Sequence, residues 1–202
     1  MIHYFIWGTA VAFLAFSFQA KANMMGISTH PIETDKHLVN TDFNAYMSNG
    51  SGSGINARYF YKANEQVSLD IGLGVSEGDR ASRIFAGSDF EFLPDYDNQP
   101  RMSIKALAET SDEFEQRHYK FGVAPTISKG FNFWGKEGFP FIALPVMVDL
   151  NDERDSYKML TSLAAGVTTY TDMNNLIFNV EANIGLSNSY NSIIAGLSMT
   201  MD

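Results

Sequence analysis

The chain has 202 residues and no cysteine, which excludes disulfides, thiolate metal sites and a lipid-bearing N-terminal Cys. Charged residues make up only 18%, and 23 acids against 14 bases give a formal charge of -9. The clustered Lys and Arg that phosphate backbones require are absent, so nucleic acid is not expected as a partner.

No linker or charge run divides the chain, so one folded domain is expected. Tyr4 to Phe18 is an apolar run followed by Ala20 and Ala22 in A-x-A spacing, the pattern of a secretory signal peptide over residues 1–22. The run is shorter than the ~20 apolar residues of a spanning helix. Its n-region, Met1-Ile2-His3, departs from the pattern in having no Lys or Arg. Residues 23–37 follow no period and read as an irregular leader. His30 and His37 have no carboxylate framework for a metal and read as solvated side chains.

From residue 38 to 202 the chain alternates with period two. The clearest stretch is Val67 to Val75, where odd positions are large aliphatics and even ones are Ser, Asp, Gly and Gly. Similar segments are predicted at Leu38 to Met47, Ile55 to Lys62, Ser82 to Leu93, Arg101 to Glu109, Tyr119 to Ser128, Tyr157 to Thr171, Leu176 to Ser187 and Ser192 to Met201. Polar loops are expected at 77–81, 110–118 and 150–156, and the longest connection at 129–138. Phe139 to Leu150 is apolar on both sides with Pro140 and Pro145, so its facing cannot be assigned from sequence. The count is ten strands, with eight as the alternative, each near the 9 to 11 residues that a tilted strand needs to cross a bilayer.

The polar face decides between two closed barrels. A soluble, lipocalin-like barrel lines its cavity with the apolar face and shows dense charge to water. Here the polar face holds Arg58, Lys62, Asp70, Asp89, Glu91, Arg101, Lys105, Glu109, Lys120, Lys158 and Glu181, of mixed sign and interleaved with Gly and Ser. Small residues suit a crowded concave surface, and pairs such as Arg58 with Asp70 can neutralise each other there. The expected fold is therefore an all-β, antiparallel, up-and-down transmembrane β-barrel with its apolar face outward. Tyr59, Tyr61, Phe90, Phe92, Tyr119, Phe121 and Tyr157 lie near strand ends on the apolar side, where an interfacial aromatic girdle belongs.

The closing strand resembles the C-terminal recognition signal of bacterial outer-membrane barrels, polar-x-Gly-x-x-apolar-x-apolar, through Gly196, Met199 and Met201. It departs in carrying Ile194 where a polar residue is usual and in ending on Asp202 rather than an aromatic. The resemblance implies an outer-membrane location, with lipopolysaccharide and the outer-membrane assembly machinery as partners.

Chemistry is sparsely signalled. Ser111, Asp112, Glu115 and His118 bring hydroxyl, acid and imidazole into one polar stretch, a combination common in loops without catalysis. Asn151 to Asp155 is acidic but has no Ca²⁺-loop ligand spacing. No enzyme activity, cofactor or metal is expected. The expected function is a porin-like barrel, structural or passing small solutes through a narrow polar lumen. The alternatives are a surface-interaction barrel acting through its loops and the soluble ligand-binding barrel.

Overall fold

The structure, a computed structural model, describes residues 29–48, 52–77, 80–133, 135–151, 156–171 and 176–201. The signal-peptide segment 1–22, the acidic stretch 152–155 and Asp202 lie outside the described residues. Among those described, the strands are β1 (His37–Tyr46), β2 (Gly52–Lys62), β3 (Val67–Ser76), β4 (Arg80–Leu93), β5 (Arg101–Glu113), β6 (Gln116–Ser128), β7 (Phe131–Phe133), β8 (Lys136–Ala143), β9 (Val146–Asn151), β10 (Ser156–Tyr170), β11 (Leu176–Ser187) and β12 (Ser192–Met201). Consecutive strands pair antiparallel except β6 with β7 and β8 with β9, and β12 pairs with β1 from His37 opposite Met201 to Tyr46 opposite Ser192, which closes the sheet.

β8 and β9 together make one position in the wall. Both lie between β6 and β10 with continuous register: Ala143 faces Thr126 and Ala164, and Val146 faces Val123 and Thr161. The break falls at Pro145, which has no N–H to give the ladder. Its carbonyl still accepts from Ser162 N at 3.1 Å, and Leu144 N still donates to Pro125 O at 3.0 Å. β7 pairs with β8 alone, at one end of the barrel. The result is a closed, up-and-down barrel of ten strand positions.

The facing follows the alternation. Leu73 is 60% exposed on the outside, while its neighbours Gly72 and Gly74 are buried inside. The strand left unassigned above faces inward with Phe139, Phe141, Ala143, Pro145, Met147 and Asp149, and the parity passes through Pro145 unchanged. The start of β1, the end of β12 and the turns at 63–66 and 94–100 lie at one end of the barrel, here called the terminal end. β1, β3, β5, β9 and β11 run toward the other, the far end.

Two expected connections prove to be strand. The stretch 110–118 is the continuation of β5 into β6 through a two-residue turn, Phe114-Glu115, both at positive φ. Alternation persists there: Ser111 and Glu113 are buried inside, and Asp112 pairs outside with Arg117 at 2.9 Å. Both faces are polar, so hydrophobic periodicity vanishes while the ladder continues. Likewise the connection 129–138 contains β7 and its pairing with β8, Phe131 opposite Gly138.

Residues 29–36 fold back against the terminal end. Ile32 packs on Leu38, Phe60, Ile177 and Ile194, and Asp35 N donates to Lys62 O at 2.9 Å. His30, expected to be solvated, is buried edge-on between Phe139 and Tyr170 with ring centroids 5.5 and 4.5 Å away. That burial lowers its pKa to about 4.

Candidate functional site

The interior is built by side chains that meet over glycines. Arg58 on β2 and Phe85 on β4 are both in register with Gly72 on β3, and the guanidinium lies 4.7 Å from the Phe85 ring centroid. A Cβ on Gly72 would come within 2.3 Å of that ring. One row away, Asn56 and Arg83 meet over Gly74, with Arg83 Nε donating to Asn56 Oδ1 at 2.8 Å. Asp70 on β3 and Lys105 on β5 pair at 2.5 Å across β4, where a Cβ on Gly87 would strike both. The missing side chain on the middle strand leaves room for an interaction between the two strands beside it. This is why the polar face reads as Gly and Ser with scattered charge.

The charged residues expected inside fall into registered groups. Asp70 is shared by Lys105 and Arg58, the latter at 3.6 Å. Arg101 pairs with Asp89 and with half-buried Glu91, each at 2.5 Å, and donates to Ser103 Oγ at 2.9 Å. Lys62 is buried at the same end of β2. Lys120, with no exposed surface, donates to Glu109, to Glu113 at 2.7 Å and to Ser111 Oγ at 2.6 Å. Glu109, Lys120, Asp149 and Lys158 are in register across β5, β6, β9 and β10, so one row around the wall alternates in sign. Lys158 sits at the rim of that row and is exposed to water. Glu181 is buried on β11 and accepts from Asn183 Nδ2 at 2.8 Å. Arg58, Asp70, Asp89, Arg101, Lys105, Glu109 and Lys120 are tolerated inside because each lies within 4 Å of an opposite charge.

Gly196 faces inward, whereas Met199 and Met201 point outward. Ile194, the departure from that pattern, is buried inside against Leu38, Phe60 and Ile177, where leader residue Ile32 also packs.

Several interior groups escaped the sequence reading. Glu113 lay in a supposed loop and Asp149 in a strand of unassigned facing. Asn40, Asp42, Asn44 and Asn56 stood on the polar face but carried no pairing signal. The interior is also not uniformly polar. Leu107, Ala124, Phe141, Ala143, Met147, Leu160 and Ala164 form a buried apolar cluster on β5, β6, β8, β9 and β10. Leu107 and Leu160 interrupt otherwise polar inner faces, a signal visible in the sequence. Phe141 and Met147 were hidden by the two-sided hydrophobicity around Pro145.

At the far rim, His118 Nδ1 lies 3.0 Å from Asp149, not against Asp112 or Glu115. Ser111 is in register with His118, but its hydroxyl donates to Glu113 Oε1 at 2.8 Å and accepts from Lys120. The Ser111 hydroxyl is thus engaged with Glu113 and Lys120 and not with the His118 imidazole. Among the described residues no three His, Asp or Glu side chains are placed to hold a metal ion. Near the terminal end, a cavity of about 280 Å³ separates the leader from the wall, lined by His30, Ile32, Lys36, Tyr170, Ile177 and Thr200.

A closed ten-strand antiparallel barrel with an apolar outside and ion-paired polar rows inside has the architecture of the small bacterial outer-membrane barrels. No protein-family model and no curated protein sequence matches the chain. Among solved structures, an outer-membrane channel from Pseudomonas putida F1 aligns with a TM-score of 0.54 at 7% identity, over 89% of this chain and all (100%) of that one. A de novo designed transmembrane β-barrel aligns at TM-score 0.42 and 13% identity, covering 85% of this chain and 100% of its own. Ail, the attachment invasion locus protein of Yersinia pestis, aligns at 0.30 and 8%, covering 84% and 100%. At 7% identity, the likeness to the channel is one of fold.

Proposed function

We propose that this protein is an exported outer-membrane barrel with a structural role, its interior packed shut rather than open for diffusion. The observation that carries this reading is the interlock over Gly72, where Arg58 and Phe85, both buried, fill the space a pore would need. A barrel of this size has an interior that side chains can fill. The leader segment at the terminal end adds a second obstruction beneath the first. Lipopolysaccharide and the outer-membrane assembly machinery are the partners this reading implies. Support comes from the apolar outer face and the closing-strand spacing of Gly196, Met199 and Met201. On this reading the terminal end is periplasmic, as in single-chain barrels whose termini lie inside.

Planar-bilayer recording tests the closed interior. The purified protein is expected to give no stable conductance steps, and the double variant Arg58→Ala/Phe85→Ala is expected to give them. Discrete steps from the unaltered protein would replace the structural role with small-solute permeation.

A further inference from the structure

The outer wall carries a furrow whose floor and sides are set by register. Ala86 on β4 is opposite Ala108 on β5, and the next outward pair toward the terminal end is Ser88 with Ala106. Ile71 on β3 is in register with Ala86 from one side, and Phe121 on β6 is in register with Ala108 from the other. Two strands of small outward side chains therefore run between two strands of large ones. The furrow has a volume of about 270 Å³, and Ile71, Ile84, Tyr119 and Phe121 stand around it, each at least 38% exposed on the lipid side. Neighbouring strands lie about 4.8 Å apart, so the opening has the width of a chain rather than of a barrel face.

Along the furrow the chemistry changes in order. Ala86 and Ala108 are followed toward the far end by Thr110 and Tyr119, which are in register with each other and line the same furrow, bringing hydroxyls to it. The next row is Asp112 with Arg117, paired at 2.9 Å on the outer face, and Ser82 Oγ donates to Asp112 at 3.1 Å. Apolar floor, hydroxyl row and ion pair follow the order of acyl chain, ester or amide linkage and head group along a lipid. From Ile84 to Ser88 the floor spans about 13 Å at ~3.3 Å per residue, which fits within one leaflet of a hydrocarbon core ~30 Å thick.

We propose that this furrow seats one saturated acyl chain of a lipid in the far-end leaflet, with its linkage beside Thr110 and Tyr119 and its head group at the Asp112–Arg117 pair. The furrow follows two neighbouring strands without a branch, so an extended chain lies along it, whereas a cis double bond turns the chain out over the large residues at its sides. The inference rests on the lipid-facing reading of the outer wall and gives one place on that wall a fixed occupant.

The test places the full-length protein in phosphatidylcholine bilayers doped with a palmitoyl phosphatidylcholine that carries a photoreactive diazirine at mid-chain, and maps the labelled residues by mass spectrometry. Labelling is expected to concentrate severalfold on Ile71, Ala86, Ala108 and Phe121 relative to Met159 and Ala165, which are exposed on β10. An oleoyl analogue is expected to label the furrow severalfold less than the palmitoyl probe does. Filling the floor with Ala86→Leu/Ala108→Leu should bring its labelling down to the β10 level, and the control Ala165→Leu should leave it unchanged. Even labelling around the wall would overturn the proposal, as would undiminished labelling of the filled variant or equal labelling by the two probes. Crosslinks between two copies of the chain at these residues would overturn it too, assigning the furrow to a second barrel. Should the filled variant fail to fold, the distribution on the unaltered protein and the preference for the palmitoyl probe decide alone. Recovery of the protein without detergent would remove the lipid-facing reading itself, whereas a detergent-dependent barrel that labels evenly removes only the seated chain.

Discussion

Gly72 and Leu73 are adjacent and face opposite environments, so substitutions there separate the two sides of the wall. An Arg at Leu73 places a charge on the lipid face and costs about 2–4 kcal/mol near the bilayer midplane. The alternation alone suggests that Gly72→Ser would be mild, since the inner face already carries hydroxyls. The structure corrects this: a Cβ at Gly72 would meet the Phe85 ring at 2.3 Å and the backbone oxygen of Ala57 at 2.7 Å. Gly72→Ser is therefore expected to cost about 1–3 kcal/mol by overpacking, measured as a lower urea midpoint of the refolded barrel. Gly72→Trp should abolish folding. Adding Phe85→Ala should recover part of the Gly72→Ser loss, and a double variant no better than the single one would show that the ring is not the obstacle.

At the scale of elements, the β5–β6 hairpin and the leader give separate tests. Phe114 and Glu115 form the hairpin turn at φ of 52° and 61°, a conformation costly for residues with a Cβ and natural for Asn-Gly. The pair Phe114→Asn/Glu115→Gly should raise stability by about 1 kcal/mol, seen as a higher unfolding midpoint with unchanged gel migration. Because Asp112 lies in the ladder, a sidedness tag at the far end belongs in this turn, and its counterpart belongs at Gly135. Labelling of intact cells at Gly135 alone would invert the orientation given above. For the leader, His30 is docked in its neutral form, with its pKa lowered from 6.5 to about 4 by burial. Protonation favours the undocked state, so docking is complete above pH 6.5 and weakens as pH falls toward about 4. A spin label on exposed Thr34 should be immobile at neutral pH and grow mobile through that window. His30→Phe, which keeps the ring between Phe139 and Tyr170, should remove the pH dependence.

For the whole molecule, the closed ladder and the apolar exterior act together. No strand edge is left in the ring, so unfolding has to break the pairing of β1 with β12 or another complete pair. The protein is expected to need detergent for extraction and to run at different positions on a gel when boiled and unboiled. Recovery as a monodisperse protein without detergent would contradict the lipid-facing assignment. Leu73→Arg should lower the yield of the heat-sensitive band.

The sequence by itself determined the strands whose two faces differ in polarity and their facing, because side-chain alternation is a local property of extended chain. It also determined which charges face inward, since parity carries Arg58, Asp70, Lys105 and Lys120 to the same side as their glycines. It went silent where both faces match in polarity: polar at 110–118, apolar at 139–150. Strand identity there comes from pairing with a neighbour, and Pro145 is tolerated only because the register holds on both sides of it. The tertiary structure alone decided that the interior is interlocked and partly apolar, that the leader packs against one end, and that the side-chain amides of Asn40 and Asn179 meet over Gly196. Each depends on which strands become neighbours around the ring, β1 with β12 and β6 with β8 and β9, and that pairing joins residues far apart in the chain.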